Sequence, residues 1–349
     1  MRTTWRVTRS SRSPASRSPR PHRGIRAAQP RPRHPRRTPV RTRARCSPTG
    51  ASTRSASSNW SPAARRNRRK KIREGTGGTM ATIIFLHAHP DDECLASGGT
   101  IAKYAAEGHR VVLVTATDGR HGERPADIDS PEALLARRRE ELAKVVGILG
   151  IARHEWLGYE DSGMTGWPQN QHAGAFIRSD VEEAARRFAA IVRDEQRSAQ
   201  QDGARIIIVG YDWHGNYGHP DHIHVHKVTR RAAALCGVDE LFEVTLNRDF
   251  FAAQFEWSKA NGGDNDFDPR EPADDGNPMG EPESAITHHI DVSAHVDAKR
   301  RAIAAHASQA SDTGFATELS QESFLRAFGT EWFVRVGAPA PSKLGSLLE

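Results

Sequence analysis

Thr82-Ile83-Ile84-Phe85-Leu86-His87 runs directly into Ala88-His89-Pro90-Asp91-Asp92-Glu93. The first six residues form a short apolar run rich in β-branched side chains, the pattern of a strand buried in a parallel sheet. The next six turn the chain. Pro90 fixes its own φ and biases His89 toward extended backbone. A helix is expected over Asp92–Glu107, with Leu95, Ile101, Ala102 and Ala105 as its apolar positions and Gly108 as its stop. Strand, charged turn and helix together make the first part of a βα unit.

Working outward, the unit repeats. Arg110–Ala116 (RVVLVTA) reads as a second strand, ending at the turn signal Asp118-Gly119. Pro131–Leu149 is a long amphipathic helix with Pro131 suited to its first turn. Glu155–Leu157 is a weak short strand, and Ser179–Arg197 is a helix capped by Ser179 or Asp180. Arg205–Tyr211 (RIIIVGY) is a fourth strand, and Asp221–Cys236 continues as a helix. Near the C-terminus, ITHHIDV (Ile286–Val292) is strand-like, and a helix follows from about Ala294 to Ala307. This alternation predicts an α/β fold: a Rossmann-like, mainly parallel sheet flanked by helices, with right-handed crossovers. In such sheets ligands sit beyond the carboxyl ends of the strands, so chemistry-bearing residues are expected just after them.

Composition bounds the function classes. Of 349 residues, 37% are hydrophobic and 27% charged, enough for a sizeable core. The net charge of +7 hides a segregation. Residues 1–79 carry 23 Lys and Arg against one acid, Glu74, whereas the remainder carries 27 bases against 42 acids. An acidic body follows a basic tail, so a nucleic-acid reading rests on the tail alone. The tail is rich in Arg, Pro, Ser and Thr and is expected to be disordered, because it offers too little apolar surface to offset its conformational entropy. It divides the chain into residues 1–79 and a folded domain over 80–349. Met80 stands directly before the first strand, and the favoured expectation is that translation starts there. The alternative is an arm for nucleic acid or an anionic surface. No run of 18 apolar residues predicts a membrane helix, and no apolar segment marks a secretory leader. Cys46, Cys94 and Cys236 make neither a disulfide framework nor a Cys-type zinc site, which suits a reducing, cytoplasmic setting. Residues 258–284 hold eight acids and two bases without periodicity, and read as a lid, a binding loop or a disordered segment.

Two constellations carry chemistry. The first is His89-Pro90-Asp91-Asp92-Glu93 after strand one. One carboxylate there can bind a metal while its neighbour faces a bound water; alternatively Asp91 and Asp92 merely favour the helix dipole. The second is Tyr217-Gly218-His219-Pro220-Asp221-His222 after strand four, with His224 and His226 beyond it. A catalytic metal site needs three protein ligands and an open position. Two His-Pro-Asp turns on one sheet supply two His and one Asp with residues to spare.

Ala88–Glu93 (AHPDDE) and His219–His222 (HPDH) resemble the paired motifs of the LmbE/PIG-L family of zinc-dependent N-deacetylases, which act on N-acetylglucosaminyl groups. The resemblance runs from about Ile83 to Gln309. It implies that His89, Asp92 and His222 bind zinc and that Asp91 is the general base. It further implies that His219 is the acid or electrostatic stabiliser, tuned by Asp221, and that Tyr217 helps hold the oxyanion. Fe2+ in place of Zn2+ suits the same ligand set. Within the family, the chain looks most like the actinobacterial branch that deacetylates N-acetylglucosaminyl-inositol in mycothiol biosynthesis. Glu93-Cys94-Leu95, Gly99–Ala102, Asp161–Met164 and Asn216–His219 follow that branch. Arg138 and Asp161 match its substrate-contacting arginine and sugar-contacting aspartate. The mycothiol-conjugate amidase branch carries a lysine soon after the first motif, and Leu95-Ala96-Ser97 offers none. The acidic 258–284 segment departs from the inositol enzymes.

The implied reaction is consistent with these residue types. Zinc acidifies bound water and polarises an acetyl carbonyl. Asp91 takes the proton, donors from Tyr217 or His219 help hold the oxyanion, and His219, kept charged by Asp221, protonates the leaving amine. The partner is a small acetylated amino sugar. Rival readings are an amidase on a thiol-sugar conjugate, a deacetylase of a secondary metabolite, and nucleic-acid binding through the tail. His87, His224 and His226 are expected to be structural, Cys94 a packed small residue, and Gly98-Gly99 a close helix contact. His306, in Ala305–Gln309, resembles a recurrent family segment and has no assigned role.

Overall fold

The structure is a computed structural model, and it describes residues 80–260, 268–273 and 275–349. The expectations for residues 1–79 and for the middle of the acidic segment lie outside these residues. The elements are β1 (Ala81–His87), α1 (Asp92–Ala106), β2 (Arg110–Thr117), α2 (Pro131–Leu149), β3 (Arg153–Tyr159), α3 (Val181–Asp202), β4 (Arg205–Tyr211), α4 (Pro220–Cys236), β5 (Leu241–Thr245), α5 (Arg248–Ala260), β6 (His288–Asp291), α6 (Val296–Ala305), α7 (Ala310–Glu318), α8 (Gln321–Phe328) and β7 (Thr330–Arg335).

Seven strands form one sheet in the order β3-β2-β1-β4-β5-β7-β6. The first five are parallel, and β7 and β6 close the edge antiparallel. β1 is buried along its whole length, with Ile83 beside Val111 on one side and Ile207 on the other. That central position explains its continuous apolar run. α1, α2 and α6 pack together, as do α3 and α4. The strand order reverses between β1 and β4: β1 continues to β2 on one side, and β4 to β5 on the other. Such a switch point opens a crevice at the carboxyl ends of the two strands. Both His-Pro-Asp turns leave from there.

Local chemistry sets the helix boundaries. Ser130 caps α2 by accepting the Ala133 N–H at 3.1 Å, Pro131 opens the helix, and Gly150 ends it. Asp180, rather than Ser179, caps α3. α3 runs to Asp202 through polar residues that the apolar pattern does not mark. β3 is longer than the three-residue signal because it is a half-exposed edge strand. α6 stops at Ala305, earlier than expected, because His306 leaves helical geometry. The glycine contact is real: a Cβ on Gly99 would stand 2.5 Å from Val292 Cγ2.

The 258–284 segment is corrected in part. Residues 258–260 complete α5, and its described C-terminal part packs on the turn after β4. Gly280 donates its N–H to the Asn216 carbonyl at 2.6 Å, and Arg248 donates to the Met279 carbonyl. Among the described residues, no helix is long and apolar enough to cross a membrane.

Candidate active site

β1 and β4 deliver the two turns side by side, and three donor atoms converge between them. His89 Nδ1 lies 3.2 Å from Asp92 Oδ2, His222 Nε2 lies 3.3 Å from the same oxygen, and the two nitrogens are 3.4 Å apart. Ligands about 2.0–2.1 Å from a tetrahedral metal stand roughly 3.3 Å from one another. The triangle therefore fits a metal of zinc's size with one face open, and two imidazoles with a carboxylate are a suitable donor set. His219 also joins His89 and His222 in a potential metal-holding group. The triangle places Asp92 with the two histidines and leaves His219 at the rim, its ring centroid 4.5 Å from that of His89.

The shell behind the triangle orients it. His89 Nε2 faces Asp221 Oδ2 at 3.2 Å and Asp161 Oδ1 at 3.5 Å, so the ring proton belongs on Nε2 and the Nδ1 lone pair faces the site. Asp221 is fully buried and fixed by Ser162, whose N–H and Oγ–H both bond its carboxylate. Tyr211 stacks on His222 with centroids 4.3 Å apart and rings 5° from parallel. The Tyr211 hydroxyl meets His87 Nδ1 at 2.9 Å, and His87 Nε2 meets Ser97 Oγ at 2.8 Å. Gly215 makes room for the second ligand, because a Cβ there would stand 2.4 Å from the His222 Cβ.

Asp91 sits beside the triangle in an unusual backbone state, φ 132° and ψ −31°. That region is sparsely populated by L side chains and marks functional strain. Asp91 precedes the first residue of α1 yet makes no side-chain cap. Its carboxylate instead meets Arg138 Nη2 at 3.0 Å.

Burial pushes the Asp91 carboxyl up to about 6, although Arg138 pulls the other way. Burial would also raise Asp92, but His222 and His89 hold it well below the usual carboxylate range. Burial would lower His89, yet Asp161, Asp221 and Asp92 drive it well above the usual histidine value. Burial, with the adjacent His89 and His222, depresses His219 strongly.

Several expected roles shift. The Asp221 carboxylate reaches His89 rather than His219. His219 meets Asp221 through the backbone, its Nδ1 accepting the Asp221 N–H at 3.1 Å. Arg138 is only 2% exposed and bonds the Pro90 and Gly119 carbonyls as well as Asp91, so it is a buried partner of the first turn. Asp161 is likewise buried behind His89, accepting the Gly163 and His121 N–H groups. Tyr217 is 38% exposed, with its ring 5.1 Å from that of His222. His224 and His226 bond Ser179 and the Tyr211 carbonyl, away from the triangle.

The family model described as PIG-L, GlcNAc-PI de-N-acetylase, matches residues 84–233, a span containing both turns. A 1D-myo-inositol 2-acetamido-2-deoxy-alpha-D-glucopyranoside deacetylase from Acidothermus cellulolyticus is 37% identical over 73% of this chain and 88% of its own. The chain belongs to the PIG-L family. A second relative of the same name, from Thermomonospora curvata, is 37% identical to this PIG-L protein over 75% of the chain and 92% of its own. Among solved structures, an N,N'-diacetylchitobiose deacetylase from Pyrococcus horikoshii is similar at 21% identity and a TM-score of 0.42, covering 70% of this chain and 79% of that one.

Sequence reasoning about this PIG-L protein gave no role to Ser162, Tyr211, Glu93 or His306. Ser162 lies in the Asp161–Met164 match, which was a usable signal. Tyr211 ends β4 and Glu93 ends the first motif, so each position was marked without its partner. His306 reaches Glu93 across 213 residues, a contact no local pattern marks.

Proposed function

We propose that the protein is a zinc-dependent N-deacetylase that releases acetate and a free amine from an N-acetylglucosamine-type substrate, and that N-acetylglucosaminyl-inositol is that substrate. The observation that carries the reading is the His89–Asp92–His222 triangle with the Asp91 carboxylate beside it. The names of the relatives support the substrate. A metal held by His89, Asp92 and His222 would acidify a water and polarise the amide carbonyl.

The chain's own groups divide the remaining work. Asp91, aimed into the cleft by Arg138, takes the proton of the attacking water. Its raised pKa makes it both an adequate base and a competent acid near neutrality. His219 has its Nδ1 occupied by the Asp221 N–H, so its proton sits on Nε2. Held neutral by burial, His219 donates a hydrogen bond to the developing oxyanion, with Tyr217 at the open side. Asp91 then passes its proton to the departing amine. Asp221 keeps His89 in the ligating tautomer. Free Cys94 and Cys236 support a reducing, cytoplasmic location within the same proposal.

The test is amine release by the metal-loaded full chain from N-acetylglucosaminyl-inositol, free N-acetylglucosamine and a thiol-sugar conjugate, with metal content measured in parallel. Release from the inositol glycoside that falls about 10²–10⁴-fold in Asp91→Ala with metal retained is the expected result. Turnover undiminished in Asp91→Ala refutes the mechanism, and release from another compound alone moves the substrate.

A further inference from the structure

The segment after α6 touches no corner of the metal triangle, yet its polar side chains are all buried against the walls of the site. His306, Ser308 and Gln309 are 0%, 1% and 0% exposed. His306 Nε2 lies 2.7 Å from Glu93 Oε1, and Glu93 Oε2 accepts the Asp91 N–H at 3.0 Å. Ser308 gives its N–H and its hydroxyl to Glu141, one turn beyond Arg138 on α2, at 3.0 and 2.7 Å. Gln309 brackets the Glu123 backbone, accepting its N–H and donating to its carbonyl, both at 3.0 Å. The three contacts fall on the start of α1, on α2 and on the loop after β2. Those same regions supply Asp91, Arg138 and the Gly119 carbonyl that Arg138 bonds.

The backbone state of Asp91 explains why such support is needed. A residue held there is strained and stays only where its surroundings over-determine it. The residue before a helix ordinarily uses its side chain to cap the helix. Asp91 turns its carboxylate to Arg138, so its own buried N–H must find an acceptor. Glu93 provides it by folding back from the second helical position; in a capping box the third does so. Glu93 is itself fully buried, and its other oxygen needs donors, which are His306 and the Cys94 thiol.

We propose that His306, acting through Glu93, is a positioning residue for the general base: it locks Asp91 in its left-handed backbone state and so keeps the Asp91 carboxylate in the cleft. The proposal rests on reading Asp91 as the base. His306 is fully buried, so any effect on turnover is indirect, and the route through Glu93 leads to the Asp91 N–H.

The experiment compares full-chain, metal-loaded His306→Ala and His306→Gln, each alone and combined with Asp91→Ala. Metal content and melting temperature are recorded for every variant. His306→Ala is expected to lower kcat about 10–100-fold, the usual size of an outer-shell effect, with KM and bound metal unchanged. In the Asp91→Ala background the same change should lower kcat no further, because residues acting as one unit are non-additive. His306→Gln, which keeps an N–H donor toward Glu93, should recover part of the loss. An equal fold-loss in both backgrounds, or wild-type kcat in His306→Ala, overturns the proposal. If His306→Ala does not fold, His306→Gln and Glu93→Gln carry the same comparison. A crystal structure of the variant gives a readout independent of turnover. Asp91 is expected to relax to negative φ, and Asp91 unmoved after loss of His306 overturns the proposal. Should the wild-type chain release no amine from any compound, the functional reading falls while that structure still decides the positioning role.

Discussion

The molecule contains His-Pro-Asp twice, at the ends of two adjacent strands, and uses it in two ways. In the second copy, Pro220 already opens α4, His219 is the residue before the helix, and Asp221 takes helical geometry. Its carboxylate is carried under the floor of the site onto His89. In the first copy the helix waits until Asp92. Asp91 swings to φ 132°, and its carboxylate meets Arg138 instead. His89 is a corner of the triangle and His219 is not; in the second copy that place falls to His222, three residues later. The same tripeptide therefore directs its aspartate onto Arg138 in one turn and onto His89 in the other, and the two aspartates differ in backbone state. The residues that follow differ too: Glu93 reaches back to the Asp91 N–H, whereas in the second copy the Asp221 N–H goes to His219 Nδ1.

The contrast can be broken by exchanging what each aspartate loses. Asp91→Asn should lower kcat about 10²–10⁴-fold, the scale of general-base catalysis, with metal content intact by elemental analysis. Loss of metal in that variant would move Asp91 into the ligand set. Asp221→Asn should weaken metal affinity about 10–100-fold in a chelator competition, since it loosens His89. If affinity holds and only kcat falls, Asp221 serves His219 after all.

The pH dependence of stability sharpens the same comparison. Asp91 is raised from 3.8 to about 6 on folding, so the native state binds its proton more tightly than the unfolded chain does. The metal-free protein should therefore lose stability as pH rises through that interval, and Asp91→Asn should flatten the loss in denaturant titrations. An unchanged slope would mean that Asp91 titrates normally. The smallest effect has opposite signs at the two positions. Asp91→Gly should be more stable than Asp91→Ala, by about 1 kcal/mol, because glycine accepts positive φ. Asp221→Gly should be less stable than Asp221→Ala, by up to about 1 kcal/mol, because that position is helical. Thermal melts giving the same sign at both would erase the distinction.

What the sequence made legible follows from how local each signal is. β1, β2 and β4 are continuous apolar runs, and α2 carries its own cap and stop, so these elements read directly. The residues of the metal triangle were marked by the two turns. β5 (LFEVT) and β7 (TEWFVR) were not foreseen, because each interrupts its apolar pattern with a buried acid. Glu331 in β7 is neutralised by Lys299 at 2.7 Å and accepts the Gly99 and Thr100 N–H groups. Glu243 in β5 is paired with Arg230 and His226. Each looks like a surface acid until its distant partner is known. The burial of Arg138 and Asp161 was hidden for the same reason, and so was the direction in which Asp221 points.

The reversal of strand order between β1 and β4 also governs when the site can exist. The triangle draws His89 and Asp92 from one side of the switch point and His222 from the other, so a chain in which β1 and β4 have not yet paired cannot present all three donors. Parallel pairings of such separation form late and slowly. A metal held by His89, Asp92 and His222 would therefore be captured only once the sheet's centre has assembled, and its binding would stabilise the pairing of β1 with β4.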